Sequence, residues 1–215
     1  MDMQSLRTPL KAIIADDRLH ARFLNSFSYL EYRGARKMAR ALESEDIDDD
    51  VLAHAMEEAR HALYLKKMAM KIGGTEFKYY RPQTLLSESA IKRYIHELDS
   101  TAGAVILQAH EPRHARKAVY HFVTWLLEVR AIALYEIYEE LLRSVASPVS
   151  LRPILADEEN HLTYVTGHVE TLRQRYGIEA APLVELEERL FWQSWNELQQ
   201  AATEAPATTS PQLHA

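Results

Sequence analysis

The chain contains no cysteine, which excludes disulfides, thiolate zinc sites, iron–sulfur clusters and cysteine nucleophiles. Any electrons its chemistry needs must come from outside the polypeptide. Glycine and proline are scarce, six and eight in 215 residues, while Ala, Leu, Glu and Arg are abundant. With no alternating run of Val, Ile or Thr, that balance predicts an all-α protein. Long apolar runs are also missing: none approaches the roughly 18 residues of a spanning helix. Arg7, Lys11, Asp16 and Asp17 interrupt the apolar residues near the amino terminus, so neither a membrane span nor a secretory leader is expected, and the expected location is cytoplasmic. Positive charge is in deficit, 25 Lys and Arg against 31 Asp and Glu, for a net charge of −6. This gives no global drive toward nucleic acid or anionic lipid. A local cluster of Arg113, His114, Arg116 and Lys117 reads first as a solvated helix face and second as a dock for an acidic partner.

What remains is ordinary for a globular protein, 47% hydrophobic and 26% charged, and long enough for one sizeable core. A single helical domain over residues 1–202 is expected, followed by a disordered tail over 203–215, rich in Thr, Pro and Ala. Apolar residues at 3-4 spacing mark a helix from Asp17 to Leu42, a second from about Asp48 to Ile72 that stops at Gly73-Gly74, a third from Pro112 to Val145 and a fourth from the Ser147-Pro148 turn to Tyr176. Between the second and third, Thr75–Pro82 reads as loop, Thr84–Leu98 as a shorter helix, and Ala102–His110 as a further stretch or its continuation. A fifth helix, Pro182–Ala202, is expected on the outside of the bundle.

Each of the four long stripes carries a misplaced glutamate: Glu31, Glu58, Glu128 and Glu158. Two of them add a histidine one turn on, at His61 and His161. A lone Glu-x-x-His means little, because 22 Glu and 10 His in 215 residues predict about one match by chance. Three occur, and the one at Glu111–His114 straddles a proline and reads as the chance event. The other two belong to a repeat offset by 100 residues, in which Leu30-Glu31-Tyr32-Arg33 also aligns with Leu127-Glu128-Val129-Arg130. A helical hairpin has been duplicated. On the third helix Glu136 competes with Glu128: the repeat favours Glu128, whereas symmetry about the Ser147 turn favours Glu136. Four carboxylates at core depth cost several kcal/mol each if unpaired and drive one another toward protonation. No Lys or Arg sits on these stripes at the right depth, while two divalent metals would bring four positive charges.

These residues resemble the ferritin-like di-iron carboxylate superfamily, in which two helices give one Glu each and two give Glu-x-x-His. The match spans about residues 17–176. Within it, Leu127-Glu128 with Ile132, Tyr135 and Tyr138, then Asp157-Glu158 and His161-Leu162-x-Tyr164, is similar to aldehyde-deformylating oxygenases, as are Asn25, Glu31 and Ala35. Rubrerythrins share the ligand plan, but a chain without Cys has no rubredoxin module. The resemblance implies a four-helix bundle with a long crossover between its second and third helices and an extra carboxy-terminal helix. It implies two iron ions, or manganese, with Glu31 and Glu128 terminal, Glu58 and Glu158 bridging, and His61 and His161 each on one metal. The function it implies is a di-iron oxidoreductase using O2, a small organic substrate and an external electron donor. The alternatives are a metal-handling protein (ferroxidase or manganese catalase), a tRNA-modifying hydroxylase, and a bundle whose stripe charges merely pair. A homodimer is left open. Gly34, Ala35 and Ala131 leave room for substrate or for close helix packing. Glu57 and Asp157 orient ligating imidazoles or are exposed charges. Tyr64, Tyr164, His54, His121 and His168 read as core or rim residues.

Overall fold

The computed structural model describes residues 2–41, 47–109 and 112–204. Of the tail expected over 203–215, Thr203 still belongs to α7 and the part from 205 on lies outside the described residues, as does Glu111 of the third Glu-x-x-His. Every regular element among the described residues is helical. In chain order, 3-10 turns aside, these are α1 (Arg7–Ala15), α2 (Asp17–Ala41), α3 (Asp49–Gly73), α4 (Glu88–Ala109), α5 (Pro112–Ser144), α6 (Arg152–Tyr176) and α7 (Ala181–Thr203). No described helix is long and apolar enough to cross a membrane.

Helix starts and stops follow local chemistry. Asp16 Oδ1 accepts the Leu19 N–H at 2.8 Å and starts α2, and Asp48 Oδ1 accepts from Val51 N at 2.9 Å to start α3. α6 lacks a cap of its own, and α5 supplies one: Glu139 Oε2 accepts the Leu151 N–H at 2.7 Å. It ends at Gly177, whose backbone is left-handed at φ 65°.

α2 packs along α3, and α5 along α6; α2 meets α5 and α3 meets α6, which closes a helical bundle. The expected stripes are the buried faces, including Leu24, Leu65, Leu142 and Val165. Two elements differ from expectation. α1 is an additional helix whose Leu10 and Ile13 lie buried against α2 and α5. At nine residues with Arg7 and Lys11 on its outer side, it has too few turns to show a stripe. α4 starts at Glu88 rather than Thr84 and runs unbroken to Ala109, so the stretch from Ala102 is the continuation that one of the two readings expected, with Ser100 and Thr101 facing outward. It packs on α5 and α7.

Candidate metal centre

The four bundle helices bring their misplaced polar residues to one depth. Glu31 on α2, Glu58 and His61 on α3, Glu128 on α5, and Glu158 and His161 on α6 are each at most 7% exposed. His54 on α3 joins them, at 4%. They form two overlapping groups, His54, Glu58, Glu128 and His161 in one and Glu31, Glu58, His61 and Glu158 in the other. Within each group the candidate ligand atoms lie within 4.8 Å of one another. Either group could hold a metal ion, and Glu58 belongs to both. Glu158 also stands between the groups: its Oε1 is 3.2 Å from His61 Nδ1 and its Oε2 3.0 Å from His161 Nδ1.

His54, read from the sequence as a core or rim histidine, stands instead among the candidate ligands. Its Nε2 lies 3.0 Å from Glu128 Oε1 and 3.4 Å from Glu58 Oε1, and its ring lies 3.7 Å from that of His161. The signal was the spacing His54-x-x-x-Glu58-x-x-His61, three donors on one helical face. Glu136 is exposed. At about 100° per residue, position 136 falls roughly 80° away from position 128, a rotation that hairpin symmetry ignores. Tyr135 stays on the face, and its hydroxyl donates to Glu31 Oε1.

The two imidazoles are held from behind by each other's helix. Asp157 Oδ2 is 3.0 Å from His61 Nε2, and Glu57 Oε2 is 2.8 Å from His161 Nε2. The residue before each central glutamate thus serves the histidine of the opposite helix. With each Nε2 turned to its outer carboxylate, both Nδ1 atoms face Glu158, His61 at 3.2 Å and His161 at 3.0 Å. Arg60 ties the two outer carboxylates together, 2.8 Å from Asp157 and 3.4 Å from Glu57. His61 Nδ1 is buried, with Glu158 Oε1 facing it.

The charges are far from balanced without one. Burial, and then the neighbouring Glu31, Glu158 and Glu128 carboxylates, push Glu58 well above the usual carboxylate range; Glu31 and Glu128 rise for the same reasons. Burial would raise Glu158 too, but hydrogen bonds from His161 and His61 overcome it and hold its carboxyl low. Against burial, hydrogen bonding to Glu158 lifts His61 to about 9. Burial and the adjacent His161 lower His54 to about 3, so it stays neutral and keeps one ring nitrogen with a lone pair able to ligate.

The histidines and their outer acceptors occupy one side of the cluster. The other side opens into a cavity of about 120 Å³, whose lining includes all four glutamates but none of the histidines. Its walls are mostly apolar, with Phe27 and Leu30 from α2, Ile91 and Ile95 from α4, Ala131 and Leu134 from α5, and Phe191 and Trp195 from α7. α7 is therefore a cavity wall as well as an outer helix. Gly34 lines the cavity and meets Glu58: a Cβ there would stand 3.1 Å from Glu58 Oε2. Ala35 does not line it. Tyr64 donates to the Ser150 carbonyl at 2.6 Å, Tyr164 packs edge-on against His168, and His168 stacks on His121. None of these four joins either group of donors.

The chain was compared with known protein families, with curated proteins and with solved structures. None of them matches it.

Proposed function

We propose that the chain is a ferritin-like di-iron oxidoreductase that uses O2 to oxidise an organic substrate held in the bundle. In this reading α2, α3, α5 and α6 are the four ferritin-like helices, α4 lies in the long crossover, and α7 is the added helix. The observation that carries it is the two-sided site: seven buried donors in two groups sharing Glu58, with an apolar cavity on the carboxylate side. Oxygen and nitrogen donors without sulfur suit iron or manganese. Two ferrous ions held there would supply electrons and open positions for activating O2. Glu57 and Asp157 fix the imidazoles so that Nδ1 faces inward. Tyr135, whose hydroxyl burial and then Glu31 keep protonated, holds a proton on Glu31 at the cavity edge. The apolar walls exclude bulk water from the carboxylate side. With no Cys in the chain, the electrons that restore the reduced state come from an external donor.

The cavity favours an enzyme over an iron store, because a store has no use for an apolar chamber beside its metals. Anaerobic titration with ferrous iron, followed by metal analysis and oxygen uptake, tests this. Binding should stop at about two ions per chain, and O2 should then be consumed. Iron content well below one ion per chain, unchanged in Glu58→Gln, would overturn the di-metal reading. Uptake continuing far past two would favour storage.

A further inference from the structure

A second pocket of about 340 Å³ is lined by Lys37, Arg40, Asp99, Gly103, Leu107, Arg116, Val119 and Tyr120. Lys37 lines both chambers, so the inner apolar cavity and the outer pocket meet at its side chain. The two differ in character. The outer chamber sets Lys37, Arg40 and Arg116 against a single carboxylate, Asp99, which lies 2.7 Å from Lys37 Nζ. At the junction Arg33 lines the inner cavity one turn before Lys37, and no carboxylate pairs with it among the described residues. The Lys37 ammonium is shielded from water and has Asp99 as its ion-pair partner, which leaves donors of its three N–H groups over. Arg130, the other cation of the inner lining, is occupied by two hydrogen bonds to Glu187. Arg116 also places one member of the basic cluster seen in the sequence in the outer chamber.

We propose that the substrate is an amphipathic organic acid, its apolar body in the inner cavity and its carboxylate at the junction between Arg33 and Lys37. The charge pattern sets this orientation. Of this chain's own groups, the inner end offers an anion only carboxyl groups, whereas the junction offers a guanidinium with no carboxylate partner among the described residues and an ammonium beside the single carboxylate of Asp99. An ammonium head group would meet a net positive junction, and a neutral one would leave Arg33 unanswered. The inner chamber approaches the roughly 150 Å³ that accommodates a benzene-sized guest, so an apolar portion of about six carbons fits. The inference rests on the di-metal reading only for what the far end of the substrate meets.

Hexanoate, hexan-1-ol and hexylamine share one chain and differ in head-group charge. Their binding can be compared by calorimetry on metal-loaded and metal-stripped wild type, Arg33→Met and Lys37→Met, with metal content measured on the same samples. Hexanoate should bind wild type about tenfold or more tightly than the alcohol, as expected for a charge-assisted hydrogen bond, with or without metal. That preference should fall to near parity in either variant while metal content is unchanged. Equal binding of acid and alcohol to wild type overturns the proposal. So does an acid preference that vanishes on metal removal but survives both substitutions, because the carboxylate would then sit on the metals. Wild type that binds acid selectively yet holds no metal would sink the oxidoreductase reading and leave the acid site standing.

Discussion

His54 distinguishes this centre from a plain six-donor arrangement, and its role is separable from its neighbours'. Removing it takes one nitrogen from the group that contains Glu128 and His161 and leaves the Glu31, His61 and Glu158 group complete. His54→Ala should therefore bring metal content down from about two ions toward one. His121→Ala, at an equally buried histidine outside both groups, should leave it unchanged. Equal content in His54→Ala and wild type under a competing chelator would remove His54 from the ligand set. Gly34 makes a subtler case. A methyl group 3.1 Å from Glu58 Oε2 is tighter than normal contact, so the shared carboxylate has to move by a few tenths of an ångström. Gly34→Ala should stay folded and release metal to a chelator faster than wild type; an unchanged rate would show that Glu58 has room to shift. His20 lies outside the centre and bears on acid stability. It is buried, with Nε2 2.5 Å from the Tyr138 hydroxyl, and burial lowers it to about 4. Since the unfolded value is near 6.5, the unfolded chain takes up this proton first. Stability is therefore fully present above pH 6.5 and is lost as pH falls toward 4. In metal-stripped protein, unfolding free energy should drop over that range by up to about 3 kcal/mol more in wild type than in His20→Gln. Parallel pH profiles would show that His20 is not the responsible group.

At the scale of elements, α7 and α4 are fastened to the bundle by one buried ion pair. Arg130 on α5 grips Glu187 on α7 through Nε at 2.9 Å and a terminal nitrogen at 2.7 Å, and Tyr94 on α4 donates to the same carboxylate at 2.6 Å. Breaking such a pair from one side leaves a charge without a partner and costs about 3–5 kcal/mol. Glu187→Ala should lose that much in urea unfolding and loosen the wall built from Phe191 and Trp195. Arg130→Met with Glu187→Leu should recover most of it; a single-variant loss below about 1 kcal/mol would make the pair ornamental. This contact also marks what the sequence could and could not show. The stripes of α2, α3, α5 and α6 were legible because a long amphipathic helix repeats its signal over many turns, and their glutamates stood out as charge at apolar positions. Glu187 gave no such signal, because its partner Arg130 is 57 residues away and the pairing depends on how α7 docks. His54 was written in the spacing. Choosing it, however, required knowing that α3 is rotated to turn position 54 toward Glu128 rather than toward solvent. The cavity was only hinted at by Gly34 and Ala131, since part of its wall comes from α4 and α7.

For the whole molecule, the duplicated hairpins are joined most directly at the centre itself. α3 belongs to one half and α6 to the other, and they meet through His61 with Asp157, His161 with Glu57, and Arg60 across both outer carboxylates. Three glutamates pushed toward protonation and one held ionised share a buried volume at the junction of the halves. A metal bound there favours the folded state, because the unfolded chain cannot assemble donors from four helices. By mass action the gain is about 4 kcal/mol when free metal is a thousandfold above its dissociation constant. Thermal unfolding of chelator-stripped and reloaded protein should therefore differ, with the reloaded form melting higher by an amount that grows with metal concentration. The crossed arrangement adds a sharper expectation. Asp157→Ala, on α6, should weaken the group that contains His61 on α3, and Glu57→Ala, on α3, should weaken the group that contains His161 on α6. Each should remove part of the metal-dependent stabilisation while leaving the melting of the stripped protein nearly unchanged. If both substitutions lower the stripped and reloaded forms equally, these carboxylates serve the fold through Arg60 rather than the metals, and the coupling of the two halves through the centre fails.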